Sequence, residues 1–393
     1  MTLDAAPVHL SAGDCRLADL IDLVNQKTDL ADYPYAHAAE QNVLIYDGAR
    51  LRKELSRPVS RPRVEAELAR ALLDGPGIVV LAGAFDDPWV IDRATWQFEA
   101  MIAAQRAAGG AAGDHFAAAG QNDRIWNALE KLAPRAGGVR GLLRQRPDRD
   151  RVPGLARTGL PGHFASQRGQ PGRRRAGGAP GLPSGVRLRH PGRAVPGARP
   201  PAHPGADLAG AVAHKDMPAE TGPTMYLPHS DKYLPGYLAW RQAEFREYFE
   251  YCHVQLPLRK GDAVFFNPAL FHAAGANRTG HVRRMANLLQ VSSAFGRSME
   301  AVDRSAMSAA VSPALQAMAD DGASPAMIAN VIAACAEGYP FPANLDLDQP
   351  AGGLAPAIQA DILARAVAEG GSRQQLETEL GAWSDRRQTR RPS

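Results

Sequence analysis

The sequence predicts a mainly β core of antiparallel-barrel or jelly-roll type, with helices before and after it. Three observations carry that expectation. Short apolar runs separated by turn residues crowd residues 253–292, as in antiparallel architectures. Helical periodicity dominates residues 63–132 and returns after Met299. The chain has 393 residues, 45% of them hydrophobic and 22% charged, enough to bury one large core or two smaller ones.

In chain order, Arg63 to Leu73 puts Val64, Leu68, Leu72 and Leu73 on one helical face and stops at Gly75-Pro76-Gly77. Ile78-Val-Val-Leu81 is a buried strand, and 91–107 and 123–132 are helical, so residues 1–134 form an α-rich lead-in with the first core strand. Gly210 to Ala213 is strand-like, His253 to Leu258 alternates, Lys260-Gly261-Asp262 turns, and Ala263 to Phe266 and Val282 to Ser292 are strands, making 209–298 the second half of the core. Residues 299–393 form a helical extension, with Ser312-Pro313 and Ser324-Pro325 as helix starts and a frayed tail past Trp383.

Residues 135–208 stand apart. They hold fifteen arginines against three aspartates, one aromatic (Phe164), and no Ile, Met, Asn, Glu, Lys, Tyr or Trp, so the formal charge of +4 is local and the rest of the chain is net acidic. Such a composition builds no core. Three readings are open: a disordered linker, an arm binding RNA or another acidic partner through arginine, and GC-rich coding DNA read out of frame. The third accounts best for arginine without lysine and for the abrupt edges at Leu132 and Gly210. Steep salt dependence of RNA binding would mark the second.

Cys15, Cys252 and Cys335 are far apart with no Cys-x-x-Cys spacing, which argues against a zinc knuckle and fits a reducing compartment. With no signal-like start and no apolar run long enough to span a bilayer, a cytoplasmic chain without membrane attachment is expected.

The window from Gly261 to Arg283 carries the chemistry. His272 ends a strand, Gly275 and Asn277 turn the chain, and Arg283 opens the next strand. An imidazole that can bind metal, beside an arginine that can grip a carboxylate bidentately, suits an iron enzyme with a dicarboxylate co-substrate. This window, with Gly77-Ile-Val-Val-Leu-Ala-Gly-Ala-Phe85 and Glu220-Thr-Gly-Pro-Thr-Met-Tyr-Leu-Pro-His-Ser230, resembles the phytanoyl-CoA dioxygenase family of Fe(II)/2-oxoglutarate oxygenases. The resemblance implies a double-stranded β-helix (cupin-like) core, Fe(II) as cofactor, 2-oxoglutarate as co-substrate, and hydroxylation of a small organic or acyl substrate. It implies His272 as the distal metal ligand, Arg283 as the 2-oxoglutarate partner with Arg284 as its competitor, and Asn277 in the turn between them.

The class also needs a His-x-Asp pair, since residues two apart on a strand share a face. His214-Lys-Asp216 and His229-Ser-Asp231 have the letters, but the resemblance places the true pair earlier, eighty to a hundred residues before His272 by rough count, inside 135–208. There, a one-nucleotide shift of the codons for Ala179-Pro-Gly-Leu-Pro-Ser-Gly-Val186 permits His-Arg-Asp-Tyr-His-Leu-Gly-Phe. Two compensating single-nucleotide changes, near residues 136 and 208, would explain the segment. They would leave the chain as written with a damaged core, without the pair, and inactive.

Overall fold

The structure is a computed structural model, and it describes residues 9–85, 87–109, 122–134, 162–169, 195–196, 208–291, 300–350 and 355–388. The readings made for 135–208 fall outside the described residues, apart from the backbone of two short strands. The chain divides into two compact units, Met1–Ile125 with Ser166–Leu289, and Trp126–Ala165 with Gln290–Ser393.

The fold is mixed α/β. Twelve strands are described: β1 (His9–Leu10), β2 (Ala38–Glu40), β3 (Val43–Asp47), β4 (Ile78–Ala82), β5 (Asn122–Ile125), β6 (Gly162–Gly169), β7 (Val195–Pro196), β8 (Leu208–Ala213), β9 (Met225–Tyr226), β10 (Ala263–Phe266), β11 (His272–Ala273) and β12 (Met285–Val291). Eight form one sheet in the order β2-β3-β4-β10-β8-β12-β6-β5. β10 lies at its centre, antiparallel to β4 (Val264 opposite Val80) and to β8 (Val264 opposite Ala211), while β3 and β4 run parallel. The apolar runs behind β4, β8 and β10 are what a strand covered on both faces requires.

The helix Pro88–Ala107 packs against β5 and, through Thr95 and Phe98, against His214 at the end of β8. Asp87 caps the helix by accepting from the Trp89 amide at 3.0 Å, and Pro88 sits at its first turn. One face of the sheet presents Ile78, Val80, Ala211 and Val264 to Tyr226, Leu256 and Leu258 in one buried cluster. Above it lies the two-stranded ladder β9–β11, extended by single bridges from Tyr226 to Val254 and from Met217 to Leu258. Alternation makes this ladder two-faced. Tyr226 points to the sheet, while Met225, Leu227, Phe271 and Ala273 pack outward in a cluster with Leu20, Phe245 and Phe249 from the helices Leu17–Val24 and Ala243–Cys252. Burial on both faces fixes the register of β11 and with it the direction of His272.

The second unit has a helical core, with Met307, Leu315, Ile332, Leu363, Leu380 and Trp383 buried together. Its described helices are Ala128–Leu132, Arg304–Asp320, Pro325–Cys335, Gln359–Ala368 and Arg373–Arg387. No helix among the described residues is long and apolar enough to cross a membrane, and all three cysteines are free.

Several elements differ from expectation. The stretch 123–132 is strand β5 followed by a short helix, Ala128–Leu132, where a single helix is expected. Pro313 lies inside the helix Arg304–Asp320, which Asp303 caps instead. That proline is tolerated because the carbonyl it cannot serve, that of Ala309, accepts from the Ser312 hydroxyl at 3.0 Å. The chain past Trp383 stays helical to Arg387, tied down by Asp348 and by the Arg387 guanidinium over the Trp383 ring at 4.5 Å.

Candidate active site

The β9–β11 ladder and the large sheet enclose a cavity of about 60 Å3, walled by Ile78, Val80, Met217, Leu256, Leu258 and Leu288. Polar groups enter it from two segments, the Gly222–Tyr226 stretch through Pro223, Thr224 and Tyr226, and the residue just before β12, Arg284. The two turns beside it approach so closely that only glycine fits. A Cβ on Gly275 would stand 2.3 Å from the Pro223 carbonyl oxygen, and one on Gly222, which has φ +70°, would stand 2.2 Å from that of Ala276.

His272 stands directly opposite Tyr226 in the antiparallel ladder and therefore shares its face, with its ring edge-on to Phe266 at 4.8 Å between centroids. Its Nδ1 lies 2.6 Å from the Leu270 carbonyl oxygen, which can only accept, so Nδ1 carries the proton and the Nε2 lone pair is left free. Burial holds its pKa below the ordinary imidazole range. A neutral ring with one nitrogen anchored and the other bare is the form that binds metal.

Arg283 and Arg284 stand just before β12 and turn to different surroundings. Arg283 is exposed. Arg284 lines the cavity, donates from Nη2 to the Gly275 carbonyl at 3.0 Å, and is paired with no carboxylate among the described residues. Loss of solvent alone pulls its guanidinium down to about 10, well below the ordinary arginine value, and it remains a cation at neutral pH. Asn277 is buried and bonded within its own turn. Its Oδ1 accepts from the Thr279 amide at 3.1 Å and hydroxyl at 2.7 Å, and its Nδ2 donates to the Val282 carbonyl at 2.9 Å. It shapes the path from His272 to Arg284, and one of its two Nδ2 N–H groups is used in doing so.

The two visible His-x-Asp pairs lie elsewhere. His214 is buried against the helix Pro88–Ala107, on the sheet face away from the cavity, with Nδ1 2.9 Å from the Thr95 hydroxyl. Asp216 accepts from the Lys260 amide at 2.8 Å. His229 is buried with φ +68°, its Nε2 3.2 Å from the Thr28 hydroxyl and its Nδ1 3.1 Å from the Gly75 carbonyl and 3.0 Å from the Lys232 ammonium. Asp231 is buried beside Gly77. Its Oδ2 accepts from Asn267 at 3.2 Å, its Oδ1 has no partner, and burial pushes it up to about 7.

Iron of the expected class needs two imidazoles and a carboxylate on one face. Among the described residues no imidazole or carboxylate lines this cavity, His272 standing on the ladder face it shares with Tyr226, and no cluster of three His, Cys, Asp or Glu side chains able to hold a metal occurs among them. The described residues do not fit the iron centre.

Residues 190–285 match the family model described as Phytanoyl-CoA dioxygenase (PhyH). The chain is PhyH-like over this stretch. The matched residues contain the Gly222–Tyr226 segment, His272 and both arginines, so the PhyH-like part and the cavity largely coincide. No curated protein matches the chain. Among solved structures it is similar to the non-heme alpha ketoglutarate dependent epimerase SnoN from nogalamycin biosynthesis, at 17% identity over 60% of this chain and 84% of that one, with a TM-score of 0.34. It is also similar to HygX from Streptomyces hygroscopicus, at 16% identity over 58% and 87%, with a TM-score of 0.33. The carbocyclase SnoK from nogalamycin biosynthesis aligns at 19% identity over 58% and 84%, also with a TM-score of 0.33. The family match carries the PhyH-like assignment.

Proposed function

We propose that this chain is built on the plan of the Fe(II)/2-oxoglutarate dioxygenases, with a double-stranded β-helix core, and that its cavity is the co-substrate end of such a site acting on a small organic or acyl substrate. The single observation that carries this reading is that Arg284 lines an apolar cavity largely within the PhyH-like stretch, while His272 stands on the ladder face it shares with Tyr226, which lines that cavity. The solved relatives accord with the choice of cofactor and co-substrate, SnoN having been solved with Fe3+ and alpha ketoglutarate and HygX with nickel and 2-oxoglutarate.

In this reading His272 offers Nε2 as the distal ligand. The carboxylate grip passes from Arg283, which the family spacing favours, to Arg284, which faces the cavity. Arg284 can hold a carboxylate with paired donors, and the apolar wall strengthens that pairing by excluding water. The ligands still missing from the plan are assigned to the shifted reading of 135–208. The chain as written is then inactive as an oxygenase, and its frame-restored counterpart carries the activity.

The test is 2-oxoglutarate-dependent succinate formation under air with added Fe(II), measured for both chains after each is confirmed by mass spectrometry. Succinate from the restored chain alone is the expected result. Turnover by the chain as written would refute the assignment of the missing ligands.

A further inference from the structure

Three segments distant in sequence meet at Asp231, the loop 75–77, the turn 229–231 and the approach to β11 at 267–271. We propose that this junction is a pH-sensitive latch, closed while the Asp231 carboxyl keeps its proton and loosened when it ionises, and that its loosening frees the start of β4 in the cavity wall. Neither a metal nor a co-substrate enters into it.

Main-chain donors hold the segments together. The His229 amide donates to the Pro76 carbonyl at 2.9 Å, the Asn267 amide to the Gly77 carbonyl at 2.8 Å, and the Phe271 amide to Ser230 Oγ at 2.8 Å. The Asp231 side chain is buried among them. Its Oδ1 and a Leu270 methyl crowd Gly77, which has φ +75°, so closely that a Cβ there would stand 2.6 Å from the one and 2.9 Å from the other. The next residue, Ile78, opens β4 and lines the cavity. A displacement of the carboxyl therefore reaches the cavity wall through a single residue.

In such a place a carboxylate is costly where a carboxylic acid is not. Oδ2 accepts from Asn267 Nδ2, a neutral donor, at 3.2 Å. Lys232, whose own pKa burial lowers, turns its ammonium to His229 Nδ1 at 3.0 Å and to Gln26 Oε1 at 3.2 Å. Asp74, just past the helix Arg61–Leu73, adds a like charge. The segments 75–77 and 267–271 read Gly-Pro-Gly and Asn-Pro-Ala-Leu-Phe and bring no titratable side chain. His229 is held neutral by burial, which pulls it down to about 4. Burial is also the main cause that pushes Asp231 from 3.8 up to about 7. In the open junction the carboxyl meets water and regains its ordinary value. Each pH unit between the two values then favours opening by up to about tenfold, and nothing more is gained above the upper one. The latch is tight at pH 5 and loose at pH 8.

The experiment is native-state amide hydrogen exchange of the full chain and of Asp231→Asn at pH 5 and pH 8, corrected for the intrinsic exchange rate. In the unaltered chain, protection of the His229, Asn267 and Phe271 amides should fall by at least about tenfold between the two pH values. Asp231→Asn cannot ionise there and should keep the same protection at both to within about threefold. At pH 8 the three amides of the unaltered chain should also exchange at least about tenfold faster than those of Ala263 to Phe266 at the centre of the sheet, because a latch opens without unfolding the core. Protection that does not change from pH 5 to pH 8, a fall that persists in Asp231→Asn, or junction amides as slow as those of β10 overturns the proposal. The pH comparison and the comparison with β10 need only the unaltered chain, so the test stays decisive if Asp231→Asn fails to fold.

Discussion

His214 reports on stability through its charge, and the size of its effect follows from where it sits. The ring is buried among Thr95, Phe98 and the sheet, with its centroid 5.4 Å from that of Phe98. The Thr95 hydroxyl donates to the Ile91 carbonyl at 2.8 Å, so at Nδ1 it can only accept, and the imidazole keeps its proton on Nδ1. Burial is the main cause that drives its pKa from 6.5 down to about 4, with the Lys260 cation adding to it. A base depressed on folding stabilises fully above its unfolded pKa and loses that contribution as pH falls toward the folded value. At about 1.4 kcal/mol per unit, the full contribution is about 3 kcal/mol, of which about 2 kcal/mol is gone by about pH 5. His214→Phe keeps the ring and the Phe98 contact, costs about 1 kcal/mol at pH 7.5 for the lost hydrogen bond, and removes the proton. Urea unfolding of both chains at pH 7.5 and pH 5 should show the unaltered chain losing about 2 kcal/mol more than the variant on acidification. Equal losses, or a folded-state imidazole that titrates near 6.5 by NMR, would refute the placement of His214 as a packed neutral ring.

Three further predictions concern the cavity and its frame. Asp231→Asn should flatten the pH dependence in the opposite sense: a carboxyl raised from 3.8 to about 7 stabilises below its unfolded pKa and loses that contribution as pH rises through 7, so the variant should gain on the parent in thermal midpoint between pH 5 and pH 8. Gly275→Ala should cost about 1–3 kcal/mol, read by urea denaturation, because its methyl meets a backbone oxygen that cannot yield; a neutral substitution would mean the two turns are not in contact. Arg284→Met should raise the thermal midpoint of the ligand-free chain by removing an unpaired buried charge, whereas Arg283→Met should stay within about 0.5 kcal/mol; the reverse order would place Arg283 in the cavity.

Much of the fold was legible because the decisive residues report locally. The run Ile78-Val-Val-Leu81 becomes β4, and Ala263 to Phe266 becomes β10, since uninterrupted apolar residues have no other stable place than a strand covered on both faces. His253 to Leu258 alternates and does send Leu256 and Leu258 to the cavity, yet it forms bridges with two different partners rather than a strand, because Pro257 has no amide to continue a ladder. The choice between Arg283 and Arg284 was not legible. Both residues stand just before β12, and only the path by which the chain enters that strand decides which guanidinium turns inward. The strand Val43–Asp47 is equally hard to read from sequence, its short apolar run being set among polar neighbours and its pairing with β4 being parallel and distant in sequence. His214 and His229 show the limit of motif letters. Both have aspartate two residues on, but one ring is committed to Thr95 and the other to Thr28 and Lys232, contacts that no spacing announces.

The central claim is that His272, on the ladder face it shares with the cavity-lining Tyr226, and Arg284, in the cavity wall, are joined by no further metal ligands among the described residues. It is tested most directly by titrating the full chain with Mn(II) in the presence of 2-oxoglutarate and following free Mn(II) by electron paramagnetic resonance. The account predicts no tight site and the same titration curve for His272→Ala, since one imidazole alone does not hold the ion. A tight stoichiometric site that His272→Ala abolishes would contradict it, and would mean that the iron centre is complete in the chain as written.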